Sequence, residues 1–419
     1  MSDRFFTQQR FSGVGNACVI LFIFIFQGFN NLLGQIPRRY ESELFSSYQL
    51  QNNIQYGRAV NASGIAIDLM LDVYTPTGDT VTKRPLVIFI HGGGFKEGDK
   101  VSNFGTLVCG GLAKRGYVAA SINYRLSTGA QLSDSTKYSE ALYRAIQDGK
   151  AAVRFFRKFS TTYGIDSSQV FVTGSSAGSK TALHMAYLDQ IEVPSFINTS
   201  QLGTLEGSSG NAGYSSRISG VINCWGALWD WKYIQAGDVP VYCVHGTEDS
   251  TVPYDSSFSY HGFKYGSTII HERALQLGIR TGLRLFYNTG HTLDNSSAKQ
   301  DSALKDYTKW LFTILNINNP SGGLNEDEIL FPEKPILEQN YPNPFNPETN
   351  IRFKLPKAGQ VNLSIFNLLG ERVATLADGY VEEGIHHRTF NVKNSSCGIY
   401  FCQLKSDNWC ATKKMLMVE

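Results

Sequence analysis

The stretch QVFVTGSSAGSKTALHMAYLD, residues 169–189, passes from an extended apolar run into a helical pattern through a turn of small residues. QVFVT reads as a strand and KTALHMAYLD as a helix. A strand, a sharp turn and a helix together lift the central residue of the turn out of the backbone at the top of a sheet. In GSSAG that residue is Ser176, with Gly174 and Gly178 leaving room for strand and helix to approach; Ser175 reads as a small turn residue. Taken alone, G-x-S-x-G is weak evidence, because with Gly near 7% of residues a chain this long contains it by chance roughly one time in seven. Its surroundings decide its weight.

Outward from this turn, short apolar runs alternate with amphipathic ones from Ala66 to about Asn316. Residues 66–74, 85–90, 117–122, 169–173, 219–224, 239–244 and 283–287 are strand-like, and 139–159 joins 180–189 as a clear helical pattern. Such alternation predicts an α/β fold, a mostly parallel sheet with helices on both faces.

A serine hydroxyl needs a base to take its proton, and the base needs an acid to orient it. In this sheet type the chain order is nucleophile, acid, histidine. VPVYCVHGTED ends a strand with two adjacent carboxylates, Glu248 and Asp249, and LRLFYNTGH ends a later one with His291. Both lie just beyond strand ends, where the loops of an open α/β sheet build sites. Of the eight histidines, His91, His184, His245, His261, His271, His386 and His387 read as structural or solvated; only His291 satisfies both order and placement. Upstream, PLVIFIHGGGF runs a strand into Gly92, Gly93 and Gly94, whose backbone N–H groups no side chain obstructs. Donors from Gly93 and Gly94, joined by the N–H of Ala177, would surround a developing oxyanion.

The 419 residues suffice for two domains, and the net charge of +2 gives no electrostatic reason to invoke nucleic acid or a membrane surface. Arg4 and Arg10 precede an apolar run from Ala17 to Phe26, the order of a secretory signal peptide, with cleavage expected between Gly34 and Gln35. That run is much shorter than the roughly 20 residues of a membrane-spanning helix, so no stable span is expected after cleavage. Cysteines 109, 224 and 243 in the centre and 397, 402 and 410 near the end leave disulfide pairing open, with Cys224 and Cys243 reading as buried thiols. After Asn316 a Pro- and Asn-rich linker leads into short alternating stretches split by turns, an all-β sandwich pattern.

Residues 66–316 resemble the α/β-hydrolase fold, and within it the carboxylesterase and hormone-sensitive-lipase-like group, through LDVYTP (71–76), HGGGF (91–95), INYRL (122–126), GIDSSQVFVTGSSAGS (164–179), HGTEDSTVPY (245–254) and NTGHTL (288–293). The resemblance puts the acid on Asp249 rather than Glu248 and gives INYRL and Asp148 supporting positions. It implies a serine hydrolase acting on carboxylic esters, with no metal or organic cofactor. A peptidase of the same fold and a catalytically silent binding module are the rival readings. The long Gly/Ser-rich segment 191–216 is expected to form a loop or cap over the site, and Phe95, Trp225 and Trp229 are candidates for the substrate pocket. The tail resembles the type A C-terminal sorting domain of the type IX secretion system, through LEQNYPNPFNPETNIRFKLP (337–356), VNLSIFNLLGERVATL (361–376), GIHHRTFN (384–391), CGIYFCQL (397–404) and KKMLMV (413–418). This implies an immunoglobulin-like sandwich, the secretion machinery as partner, and passage across the outer membrane to the surface or beyond. Exported hydrolases with such tails often degrade polymers, which makes an acetyl or feruloyl esterase of plant polysaccharide a candidate subclass. The resulting organisation is a signal peptide (1–34), an esterase-like domain (35–316), a linker (317–336) and a sorting domain (337–419).

Overall fold

The computed structural model describes residues 38–129, 132, 134–259, 262–316, 335–337, 340, 343–392, 397–406 and 409–418. The expected signal peptide with its cleavage site, and nearly all of the linker, lie outside the described residues. The chain divides into two compact units, Met1–Asn318 and Asn319–Glu419.

An eight-stranded sheet organises the first unit. Its strands are β1 (Tyr48–Val60), β2 (Ala66–Pro76), β3 (Arg84–Ile90), β4 (Val118–Ile122), β5 (Ile165–Ser175), β6 (Gly220–Cys224), β7 (Val241–Gly246) and β10 (Thr281–Phe286), in the order β1-β2-β4-β3-β5-β6-β7-β10. Pairing is parallel from β4 to β10, and β1 and β2 run antiparallel at one edge. The sequence pattern does not reveal β1, for a physical reason: this antiparallel edge strand leaves most of its side chains in solvent and buries only Tyr56, so no apolar run marks it. A small hairpin, β8 (Ser256–Ser259) and β9 (Gly262–Tyr265), lies outside the sheet.

Five main helices cover the sheet: α1 (Asn103–Lys114), α2 (Ser135–Lys158), α3 (Ala177–Tyr187), α4 (Ser267–Gln276) and α5 (Ser297–Asn316). The period-2 alternation of β3 divides the core between two faces. Leu86, Ile88 and Ile90 pack with Leu142, Ile146 and Val153 of α2, Leu183 of α3 and Ile270 of α4. Val87 and Phe89 face the other way, toward Val108 and Leu112 of α1 and Leu304, Tyr307 and Leu311 of α5. Fully burying such aliphatic side chains contributes about 1.5–3 kcal/mol each. Both layers thereby hold the central strands, whose carboxyl ends carry the candidate site, in a fixed register.

A buried ion pair ties the sheet to α2. Arg125, just beyond β4, donates from its backbone N–H and its Nε to the Asp148 carboxylate at 2.9–3.0 Å, and Ser209 donates to the same carboxylate at 2.7 Å. This gives 191–216 a place other than the expected one. Its hydrogen bonds run to α2 (Gly203 to Tyr143, Thr204 to Gln147, Glu206 to Lys150 and Arg154) and to β1 (Asn211 to Tyr56, Ser209 to Arg58), and among the described residues none reaches Ser176 or His291. It is a strap along α2, not a cover of the turn at Ser176. Gly207 answers to this packing, since a Cβ there would meet the Gln147 side chain.

The second unit consists of two antiparallel sheets around one core. β11 (Ile336–Leu337), β12 (Glu348–Leu355) and β15 (Gly384–Asn391) form one; β14 (Arg372–Val381), β13 (Gly359–Asn367), β16 (Gly398–Ser406) and β17 (Trp409–Met417) form the other, in that order. Ile351, Phe353 and Leu355 of the first pack with Leu363, Ile365, Cys402 and Leu404 of the second. All six described cysteines are free thiols, and Cys109, Cys224, Cys243 and Cys402 are buried.

Candidate active site

Ser176 sits between β5 and α3 with φ 52° and ψ −113°, in the left-handed half of backbone space that a non-glycine residue adopts only under constraint. The constraint is close packing. A Cβ on Gly178 would press into the carbonyl oxygens of Ile90 and His91, and one on Gly174 into Gly178 and Ile90. Strand β5, the turn and the first turn of α3 therefore interlock with the end of β3, which fixes the serine's height above the sheet. The Ser176 N–H donates to the Cys224 carbonyl at 3.1 Å, adding a tie to β6.

His291 reaches Ser176 from beyond the edge strand β10. Its Nε2 lies 2.9 Å from Ser176 Oγ and its Nδ1 2.6 Å from Asp249 Oδ2. Nδ1–H donates to the carboxylate, which leaves Nε2 free to accept from the serine hydroxyl. The histidine loop is held from both sides. The Glu248 N–H donates to the Thr289 carbonyl at 2.9 Å, the Gly290 N–H to Asp294 Oδ1 at 2.7 Å, and Lys299 Nζ to Asp294 Oδ2 at 2.7 Å. Beyond the histidine, Thr292, Leu293, Asp294 and Asn295 all take positive φ, and Leu293 plugs this unusual run into the core.

Asp249 follows β7, and four donors converge on its buried carboxylate. Oδ1 accepts from the N–H groups of Thr251 (2.9 Å) and Val252 (2.8 Å); Oδ2 accepts from His291 and lies 3.3 Å from His245 Nε2. Burial alone would raise its pKa, but the hydrogen bonds from His245, His291 and Val252 outweigh burial and hold it well below the usual carboxylate range. The adjacent Glu248 makes none of these contacts.

His245 is the site residue that sequence reasoning places in a merely structural role. Fully buried, it takes part in a chain whose proton directions are set by its members. Ser179 Oγ donates to Asn223 Oδ1 (2.7 Å) and Asn223 Nδ2 to Ser267 Oγ (3.0 Å). His245 Nε2 faces two acceptors, the Val252 carbonyl (3.0 Å) and Asp249, and so carries the ring proton, which leaves Nδ1 to accept from the Ser267 hydroxyl (2.7 Å). The chain thus runs from α3, one turn past the nucleophile, to the back of the acid. The available signal was position: His245 stands four residues before Asp249, at the end of the same strand.

The glycine loop after β3 supplies backbone donors. Gly93 and Gly94 have φ of 108° and 62°, and a Cβ on Gly93 would press into Glu97. Among the described residues the N–H groups of Gly93, Gly94 and Ala177 have no protein acceptor. Ala177 is the first residue of α3, where the N–H is free of intrahelical bonding. Preorganised N–H groups of this kind stabilise an oxygen that gains negative charge.

The aromatic candidates are corrected in part. Phe95 is fully buried against Tyr124 and Tyr138, and Trp225 is 1% exposed and packs on Phe104, so burial gives both a packing role. Trp229 is half-buried; its ring meets His184 edge-on and its backbone N–H donates to His184 Nε2 at 3.3 Å. His184 Nδ1–H donates to the Lys180 carbonyl, and burial pushes the ring's pKa down to about 4, so it stays neutral. His91 stacks on Tyr124 and is likewise lowered, by burial first. Among the described residues no group of three or more His, Cys, Asp and Glu side chains is arranged to hold a metal.

The first unit is an α/β-hydrolase, with a serine, a histidine and an aspartate joined by hydrogen bonds at the carboxyl ends of its parallel strands. The family model BD-FAE matches residues 71–228, and the model for the secretion system C-terminal sorting domain matches residues 339–419. Residues 71–228 thus carry the BD-FAE match, and the sorting-tail match at 339–419 indicates type IX export to the cell surface or beyond. Among curated proteins it is similar to neuroligin-like protein glit-1 of Caenorhabditis elegans, 32% identical over 112 residues, 26% of this chain and 14% of the relative. It is also similar to arylacetamide deacetylase-like 2 of Homo sapiens, 30% identical over 119 residues, 28% of this chain and 27% of the relative. The chain spans less than a third of the length of either. A solved esterase of Thermogutta terrifontis, bound to propionate, superposes with a TM-score of 0.48 at 20% identity, covering 67% of this chain and 97% of that one. Among the described residues no helix is long and apolar enough to cross a membrane.

Proposed function

We propose that this chain is an exported serine hydrolase of carboxylic esters. Ser176 Oγ attacks the ester carbonyl as His291 Nε2 takes its proton, and the tetrahedral oxyanion rests on the N–H groups of Gly93, Gly94 and Ala177. His291 then returns the proton to the leaving alcohol. Water attacks the acyl-enzyme by the same route, and Asp249 keeps the imidazole in the required tautomer throughout. The observation that carries this reading is the hydrogen-bonded chain Ser176–His291–Asp249, beside three N–H groups that have no acceptor among the described residues.

The test is hydrolysis of p-nitrophenyl acetate. Ser176→Ala is expected to lose activity by on the order of 10⁴-fold or more while keeping the fold. Full activity in the folded variant would sink the reading. A fluorophosphonate probe labelling Ser176 separates an enzyme from a silent module, and comparing acetylated xylan, methyl ferulate and peptide amides separates a carbohydrate esterase from a peptidase.

For the tail, we propose the type IX machinery as partner. Deleting residues from Leu337 onward should leave an active enzyme in the periplasm; normal surface delivery of the truncated chain would remove that role.

A further inference from the structure

Among the described residues, two lysines near the candidate triad lack a carboxylate of their own. Lys180 lies one helical turn beyond Ser176, its N–H donating to the Ser176 carbonyl at 2.9 Å, and helical side chains lean back toward the N-terminus. It is only 7% exposed. Its ammonium donates to Tyr138 Oη at 3.0 Å, and the Tyr138 ring packs on Phe95, the residue after Gly94. Lys264 belongs to β9, and its ammonium lies 3.4 Å from the carbonyl of Thr251, two residues past Asp249. One cation thus stands near the glycine loop, through Tyr138 and Phe95, and the other at the acid loop.

Burial is the main cause lowering both lysines, Lys180 to about 8, and their mutual repulsion lowers Lys264 further. Asp249 attracts both, yet its carboxylate is already engaged by Thr251, Val252, His291 and His245. Among the described residues neither lysine forms an ion pair within 4 Å, although the domain pairs its other largely buried lysine, Lys100, with Asp72 at 3.1 Å. A buried cation beside a second, partly buried one, without a counter-charge, costs stability, and an anion reaching both would relieve that cost.

We propose that Lys180 and Lys264 form a cationic subsite that selects esters carrying a free carboxylate, in either the acyl or the alcohol half. The inference rests on the ester-hydrolase reading above. A half-ester of a dicarboxylic acid would bring the charge on the acyl side, and an acyl group on a uronic or aromatic acid would bring it on the alcohol side.

Two matched pairs of probes test it: 4-nitrophenyl hydrogen succinate against 4-nitrophenyl butyrate for the acyl side, and 4-acetoxybenzoate against its methyl ester for the alcohol side. In wild type the charged member of at least one pair should have the higher kcat/KM by about 10-fold or more, as for hydrogen bonds to charged groups. The advantage should persist in part at about 1 M salt, because buried pairs are screened less. Lys180→Met should lower that charged-to-neutral ratio by about 10-fold, and Lys264→Glu should bring it below one. Ratios near one for both pairs in wild type, or a ratio unmoved by Lys264→Glu, overturn the subsite. If Lys180→Met does not fold, Lys264→Glu and calorimetric binding of 4-acetoxybenzoate to Ser176→Ala decide it. Binding that depends on Lys264, without turnover of any ester by wild type, would leave the subsite standing and sink the ester-hydrolase reading.

Discussion

Two histidines meet the same oxygen of one carboxylate, Asp249 Oδ2, and their surroundings give them opposite duties. His291 is partly open, with a side-chain exposure of 22%, and stands on a loop with one ring nitrogen toward Asp249 and the other toward Ser176. His245 is closed off, fully buried on β7, and both its nitrogens are occupied by protein partners. The first can exchange a proton with a substrate. The second can only hold one. What separates a base from a brace here is the second partner: a reactive hydroxyl in one case, and in the other the Ser267 hydroxyl, itself pinned by Asn223.

Exchanging or removing the two histidines tests that contrast. His291→Ala should reduce kcat/KM for p-nitrophenyl acetate by about 10³–10⁴-fold, since it removes the proton acceptor outright. His245→Ala should cost about 10- to 100-fold, the equivalent of a buried carboxylate losing one donor, while His245→Gln, which can still donate, should recover part of it. If His245→Ala matched His291→Ala, the contrast between base and brace would collapse.

A third histidine sharpens the comparison through stability. His184 is held neutral, its folded pKa lowered by burial to about 4. Above pH 6.5 the ring is neutral in both states and contributes nothing that varies with pH. Below it the unfolded chain gains a proton that the folded one refuses, so stability should fall by about 3 kcal/mol between pH 6.5 and pH 4 from this residue. Urea melts across that range, flattened in His184→Gln, would show it. The smallest effect is expected for Ser267→Ala, a few-fold loss of activity, because it frees the His245 tautomer without removing the ring. Steady-state rates on the folded variant measure it, and a loss equal to that of His245→Ala would make Ser267 the true anchor.

The sequence made the α/β alternation, the strand–turn–helix around Ser176 and the order Ser176, Asp249, His291 legible, because buried parallel strands are continuous apolar runs and tight turns demand small residues. What stayed hidden depends on side chains meeting across the fold. Nothing local distinguishes His245 from a strand-end histidine until Ser267, 22 residues on, is brought to it. The polar β1 gave no apolar signal. The Gly/Ser content of 191–216 suggested a loop or cap over the site, whereas Gly207 serves close packing against Gln147 of α2 and Gly210 against Gly57 of β1. The aromatic character of Phe95 and Trp225 likewise said nothing about which side of the backbone they would occupy.

The base and the nucleophile also differ in how firmly the sheet grips them. Ser176 rises from β5, in the middle of eight strands, whereas His291 follows β10, which pairs only with β7 and has every residue partly accessible. Subglobal opening of that edge would separate imidazole from hydroxyl while the central strands remain protected from hydrogen exchange. On warming, this protein should therefore fall silent reversibly several degrees before it melts.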